Sequence, residues 1–464
     1  MKNTFLESLF GRLSLKELRQ LQKFVDSPYF NRRPQLSKLL GHIIERYQQK
    51  QPVVKAAAFG AAFPQRSFDD QLWRLTTSQL FKLAEHWLAL REVEGEVVFP
   101  KLPLMRSYRQ LNLDEHYQRG MKALQNKLEQ EGQRAAEFYE YQYHLEWEKY
   151  RFLSSGKRTE AFNLQKVNDA MDTAFISRKL RQACFAISHQ AVFKTKYDVG
   201  LLPAVLQQVE QKRSLLGIPA IGLYYYCYLA LSQNDETHFQ TLIQSLSQHG
   251  LALPLDEQRN LYLLAINFGI RQINASRPVY DRPVLDLYKM ALEKDLLTDH
   301  GRLSHFSFNN IVAIAVRIGE TEWVERFINE QKNKLERSHR NVTYSLGMAR
   351  LEHARKNYRA ALLYLQKADY KDFINNIIAK TLQMKIYFET NEMEVLEAHL
   401  RNMKAYIKRQ RAFGYHRENY LNIIRFTQAL MALNPFEKEG KTKLRKEIEA
   451  VERLTERDWL LEML

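Results

Sequence analysis

Arg401, Lys404, Lys408 and Arg411 follow one another at intervals of three, four and three residues. On a helix that spacing puts four cations on one side, with Leu400, Met403 and Ile407 on the opposing, packed side. Arg409, Arg417 and Arg425 belong to the same stretch, where Glu418 is the single acid, and Phe413, Tyr415 and Tyr420 follow the stripe directly. Cations beside aromatic rings suit a phosphate or an acidic peptide. The competing reading is a solvated charged face. Arg401, Lys404, Lys408, Arg411, Tyr415 and Arg417 are therefore the candidate partner-binding residues, and no catalytic, cofactor-binding or metal-binding residue is nominated.

The motifs of enzyme chemistry are incomplete. Gly156-Lys157-Arg158-Thr159 and Gly440-Lys441-Thr442 imitate the end of a phosphate-binding loop, but Arg151 and Pro435 stand where the earlier glycine belongs. Neither fragment follows a strand pattern, which that loop needs. The first reads as a helix break and the second as a turn between helices. His300 and His305 are five apart, poorly placed for one helical face, and lack a third ligand. His353 falls on a helix and reads as structural. Cys184 and Cys227, the two cysteines, sit among apolar residues and read as buried thiols of a reducing compartment. The aromatic clusters at Tyr224-Tyr225-Tyr226 with Tyr228, and at Phe138, Tyr139, Tyr141 and Tyr143, read as fillers between helices.

The elements that must position these residues show in three aligned stretches, with turns starting at Gly319, Lys356 and Asn391, at intervals of 37 and 35 residues. Before each turn Val312, Ala349 and Met384 share one column and Ile314, Leu351 and Ile386 another. After it Val324, Ala361 and Leu396 align, then Ile328, Leu365 and Leu400. A helix–turn–helix of that length cannot bury its own apolar face, so copies must stack. Cys227 to Leu246 fits the same template, with a turn at Asn234-Asp235 and Phe239 and Ile243 in the second-helix columns.

Toward the N-terminus, Ser14 and Glu17 form a capping box, and the helix they open stops at Asp26-Ser27-Pro28. Helices are expected at 36–49 and 67–93, the latter with a stripe of Leu72, Leu75, Leu80, Leu83, Trp87 and Leu90. Glu92 to Pro103 is the clearest break, with a weak strand signal at Val97–Phe99. Asp114 is the expected N-cap of a helix to 131. Helices follow at 134–153, at 158–196 with one interruption, at 202–215, 219–233, 236–248 and 256–273. After a loop at 274–283 come a short helix at 284–295, the three aligned units, and a last pair at 417–433 and 441–460.

The chain of 464 residues carries 69 basic and 53 acidic side chains, a net charge of +16. That charge favours an acidic partner or nucleic acid, although both signs are interspersed over most of the chain. Glycine and proline are few and 12% of residues are aromatic, a composition of long helices rather than disorder. Residues 1–18 lack the apolar run and cleavage site of a secretory signal, and no stretch has the ~18 apolar residues of a membrane span. A cytoplasmic protein is expected.

Ala349, Tyr358, Ala361, Leu365 and Ala368 stand at the spacings of a tetratricopeptide repeat, which the unit at 345–368 resembles. Met384, Met393, Leu396, Leu400 and Met403 keep the spacing in the next unit but change type. Val312, Thr321, Val324, Ile328 and Gln331 depart further in the preceding one. The chain also resembles a group of bacterial helical proteins that open with the turn Ser27 to Asn31 and carry stretches like Phe308 to Val312 and Glu418 to Leu421. That second resemblance brings no activity with it.

The fold expected is all-α, an α-α superhelix of stacked antiparallel helix pairs, or TPR-like solenoid, with an N-terminal helical module. The expected divisions are 1–96 as that module, 104–273 as degenerate helical repeats, and 284–464 as TPR-like repeats with a C-terminal pair. The function expected is a non-enzymatic scaffold or adaptor gripping a protein or peptide on one face, an acidic one being among the candidates. The alternative is a nucleic-acid-associated or regulatory protein using the N-terminal helices and residues 401–425. No cofactor and no membrane partner is expected.

Overall fold

A computed structural model describes residues 4–95, 101–156, 161–193, 195–275, 277–367, 373–409, 416–434, 436–451 and 454–464. They are helical almost throughout, and helices pack in pairs. The chain divides into two compact units, residues 1–131 with 140–170, and residues 132–139 with 171–464.

The first unit opens with α1 (Phe5–Phe10), α2 (Leu15–Asp26), α3 (Pro34–Gln48), α4 (Lys55–Ala62) and α5 (Asp70–Gly95). Ser14 and Glu17 make the expected capping box at the start of α2. After α2 the Asn31 amide donates to the carbonyls of Val25 and Arg33, which fixes the turn while Phe30 stacks on Phe24 at 4.1 Å. The face of α5 that enters the core matches expectation at Leu80 and Trp87, with Leu72 and Leu83 packed at its edge, and is shifted elsewhere. Trp73, Thr76, Leu80, Ala84 and Trp87 are buried, whereas Leu75 is 53% exposed. Leucines spread over more than half of this helix, and its contacts with α1, α2 and α3 select the phase that the leucine count does not. Helices α1 and α4 had no sequence expectation.

Next come α6 (Leu102–Gln110), also unforeseen, α7 (Asp114–Gln130), α8 (Ala136–Ser155) and α9 (Leu164–Phe193). Asp114 does not cap α7. It is the first helical residue, because Asn112 turns the chain in a left-handed conformation (φ 55°). Within the first unit Glu148 is buried against Arg109 at 2.7 Å, and its carbonyl accepts from the Tyr117 hydroxyl. Among the described residues of 158–196 the expected interruption does not divide a helix in two: α9 runs unbroken for 30 residues. Val97–Phe99, the weak strand signal, lies outside the described residues.

The second unit continues with α10 (Leu202–Gln211), α11 (Pro219–Gln233), α12 (Glu236–His249), α13 (Leu255–Asn274) and α14 (Asp281–Glu293). Residues 213–217 form a 3₁₀ turn rather than extending α10 to 215. The loop at 274–283 is shorter than expected, because Pro283 fits inside the first turn of α14, where its missing N–H costs nothing. A two-residue hairpin, β1 (Thr298–Asp299) with β2 (Arg302–Leu303), turns through His300 and Gly301, both at positive φ.

Then α15 (His305–Arg317) pairs with α16 (Thr321–Gln331), α17 (Arg337–Ala354) with α18 (Tyr358–Gln366), and α19 (Phe373–Glu389) with α20 (Met393–Arg409). First helices also touch first helices, α15 on α17 and α17 on α19. All twelve residues of the four aligned columns are no more than 3% exposed. Each turn is built alike. Gly319, Lys356 and Asn391 stand at φ 81°, 59° and 60°. The next residue's N–H reaches back to the carbonyl five residues earlier, Glu320 to Ala315, Asn357 to Glu352 and Glu392 to Tyr387, closing a Schellman motif. Asn234, the turn of the earlier unit, is left-handed too. The chain ends with α21 (His416–Ala432), α22 (Lys438–Ala450) and α23 (Arg457–Glu462), so the helix expected at 441–460 is two.

Candidate functional site

Helix α20 positions the cationic stripe. Its apolar positions Leu396, Leu400, Met403 and Ile407 are buried, which turns Arg401, Lys404 and Lys408 outward. Arg401 is tied to Glu397 at 2.8 Å, an exposed pair one helical turn apart, and Lys404 and Lys408 are the exposed cations beside it. Arg417 is exposed as the second residue of α21, and Arg425 lies over the Phe426 ring at 4.4 Å. Arg411, Phe413 and Tyr415 lie outside the described residues. Tyr420 belongs to the packing around the last helices, and burial pushes its hydroxyl up to about 12.

A second polar constellation escaped the sequence reading. Glu389, at the C-terminal end of α19, accepts from the Trp459 indole at 2.7 Å and the Tyr358 hydroxyl at 2.8 Å, and lies 3.1 Å from His353 Nε2. Four helices, α17, α18, α19 and α23, meet at this carboxylate. Burial works against its charge, but the hydrogen bonds from His353, Trp459 and Tyr358 prevail and hold its pKa at about 2. One turn back on α19, Lys385 binds Glu456 at 2.9 Å and lies over the Trp459 ring. Arg350 on α17 is half-buried and donates to the Asn309 carbonyl at 3.2 Å. Arg317 on α15 faces the buried Asp281 at 3.6 Å.

Arg350 and Lys385 each stand six residues before a left-handed turn residue, so the alignment of units places both in one column. That signal was available in the sequence. The return of Glu456 and Trp459, about seventy positions along the chain, had none.

The fragments that imitate enzyme motifs are put to structural use. Gly156 follows α8, as a helix break, and the rest of that fragment, 157–159, lies outside the described residues; Gly440 lies within α22 and is not the expected turn. His300 is the exposed tip of the β-hairpin, and His305 stacks on His339 at 4.2 Å. Among the described residues no three His, Cys, Asp or Glu side chains gather as a metal site, and no helix is long and apolar enough to cross a membrane. Cys184 and Cys227 are free and buried. Tyr224 is in the core as a helix filler, beside an ionic link in which Arg181 joins Glu257 and Glu137. Comparison of the chain with protein families, curated proteins and solved structures finds no match.

Proposed function

We propose that this chain is a non-enzymatic scaffold or adaptor whose helix pairs form a TPR-like superhelix and bind a protein or peptide partner on one face. The observation that carries the reading is the recurrence of one construction. Three successive hairpins bury the same columns and turn through the same left-handed position. Such an array devotes its apolar residues to neighbouring units and leaves long polar faces for recognition. The exposed cations of α20 and the charged column on the first helices both suit an acidic segment.

The second reading, a nucleic-acid-associated protein, is favoured by the outward Lys404 and Lys408 and the net charge of +16. Affinity capture from extract of the source cell separates the two. The scaffold reading expects a protein partner retained at 500 mM salt and no co-purified absorbance at 260 nm. Nucleic-acid binding expects retained nucleic acid and affinity that falls steeply with salt. Replacing Lys404 and Lys408 together by Glu abolishes capture if the outer face of α20 is the contact.

A further inference from the structure

The last eleven residues supply an occupant for the charged column on the first helices. Glu456 binds Lys385, and Trp459 three residues later donates to Glu389 while its ring meets Phe388 edge-on at 5.5 Å. The positive charges of Lys385, Arg350 and Arg317 all lower the Glu456 carboxyl, with Lys385 foremost. Arg350, in the same column on the neighbouring first helix, donates to a backbone carbonyl, that of Asn309. Trp459 and Leu460 are buried in a core shared with residues of α19, α20, α21 and α22.

We propose that Arg350 and Lys385 form a binding site for an acidic segment of a partner protein with an aromatic residue about one helical turn beyond its acid, and that residues 454–464 are the internal occupant which that segment displaces. The proposal rests on the scaffold reading and names its face and its partner class. The occupant's own chemistry sets the requirement: an acid for the cations, then an indole-like ring to satisfy Glu389 and fill the core. Its hold is of a kind that yields to competition. Helix α23 has six residues, too few to persist alone. Glu456, which precedes it, is a non-glycine residue at φ 55°, a conformation that disfavours a side chain. The Lys385–Glu456 pair is partly open to water, with Glu456 37% exposed, so salt screens it.

The test uses the full-length chain and a fluorescein-labelled synthetic peptide of residues 454–464, read by anisotropy. Glu456→Lys opens the site, and the peptide should bind this variant at least tenfold more tightly than the unaltered chain. Adding Lys385→Glu restores an internal pair of reversed sign and should return binding to the unaltered level. Should Glu456→Lys lose its folded circular dichroism signal, Glu456→Gln removes the charge alone and should bind at least threefold more tightly. Equal affinity for all folded variants, or tighter binding that Lys385→Glu leaves untouched, overturns the proposal. If that happens while a protein partner is still captured, this inference alone falls. Loss of peptide binding and of any captured protein removes the scaffold reading as well.

Discussion

Glu389 is the residue on which the C-terminal half converges. Its two oxygens take hydrogen bonds from Trp459 and Tyr358 and face His353, so the charged carboxylate is the form the fold needs. A pKa held at about 2, below the ordinary value of 4.5, makes a signed prediction. The contribution is complete above about pH 4.5 and is lost as pH falls from there through about 2. Urea denaturation of Glu389→Gln at pH 7 should show a loss of roughly 1–3 kcal/mol, and the gap to the unaltered protein should close over that acid range. A gap independent of pH would mean that the charge is not what matters. Arg401 offers the contrast. Its partner Glu397 is as exposed as it is, and Arg401→Ala should change stability by less than about 0.5 kcal/mol. The polar contacts of Glu389 were not legible in the sequence, because Trp459 lies far along the chain and nothing in its local pattern points back. The outward placement of Lys404 and Lys408 was legible, since buried Leu400, Met403 and Ile407 fix the helix phase.

At the level of elements, the left-handed turns between paired helices discriminate between residue types. Gly319 adopts φ 81° without a Cβ, whereas Lys356 holds φ 59° with one. Opposite signs follow. Gly319→Ala should destabilise by about 1 kcal/mol, and Lys356→Gly should stabilise by roughly 0.5–1 kcal/mol, both measured by thermal or urea unfolding. Close approach makes a second demand on α13. A Cβ added to Gly269 would run into a methyl of Val284 on α14, so Gly269→Ala should cost about 1–3 kcal/mol. The turns and the columns were readable because both are local: a small or polar residue at the turn, apolar residues at fixed offsets on each side. The full face of α5 was not, because leucines spread over more than half of it and the buried phase, with Thr76 and Ala84, is set by α1, α2 and α3 together. The cap of α7 failed for a related reason. Asn112 in the left-handed region shortens the entry, and Asp114 becomes helical itself.

Over the molecule as a whole, two kinds of organisation are present. Helices α1 to α5 close around their own core of Leu, Ile, Phe and Trp side chains. The helices from α15 to α20 share burial between consecutive hairpins, first helix against first helix. In such an array the stability of one hairpin depends on its neighbours. All-helical character and few breaks were legible from composition. How the C-terminal segment folds back onto α19 required coordinates, since that contact joins residues about seventy positions apart.

The most direct measurement of this coupling is amide hydrogen exchange on Ala361→Asp, which forces a charge into a fully buried column position between α17 and α18. Stacked hairpins require exchange to rise in 337–366 and also in the neighbouring pairs 305–331 and 373–409, while the helices of 5–95 keep their protection. Faster exchange confined to 337–366 would contradict the account, as would faster exchange spread evenly over the chain.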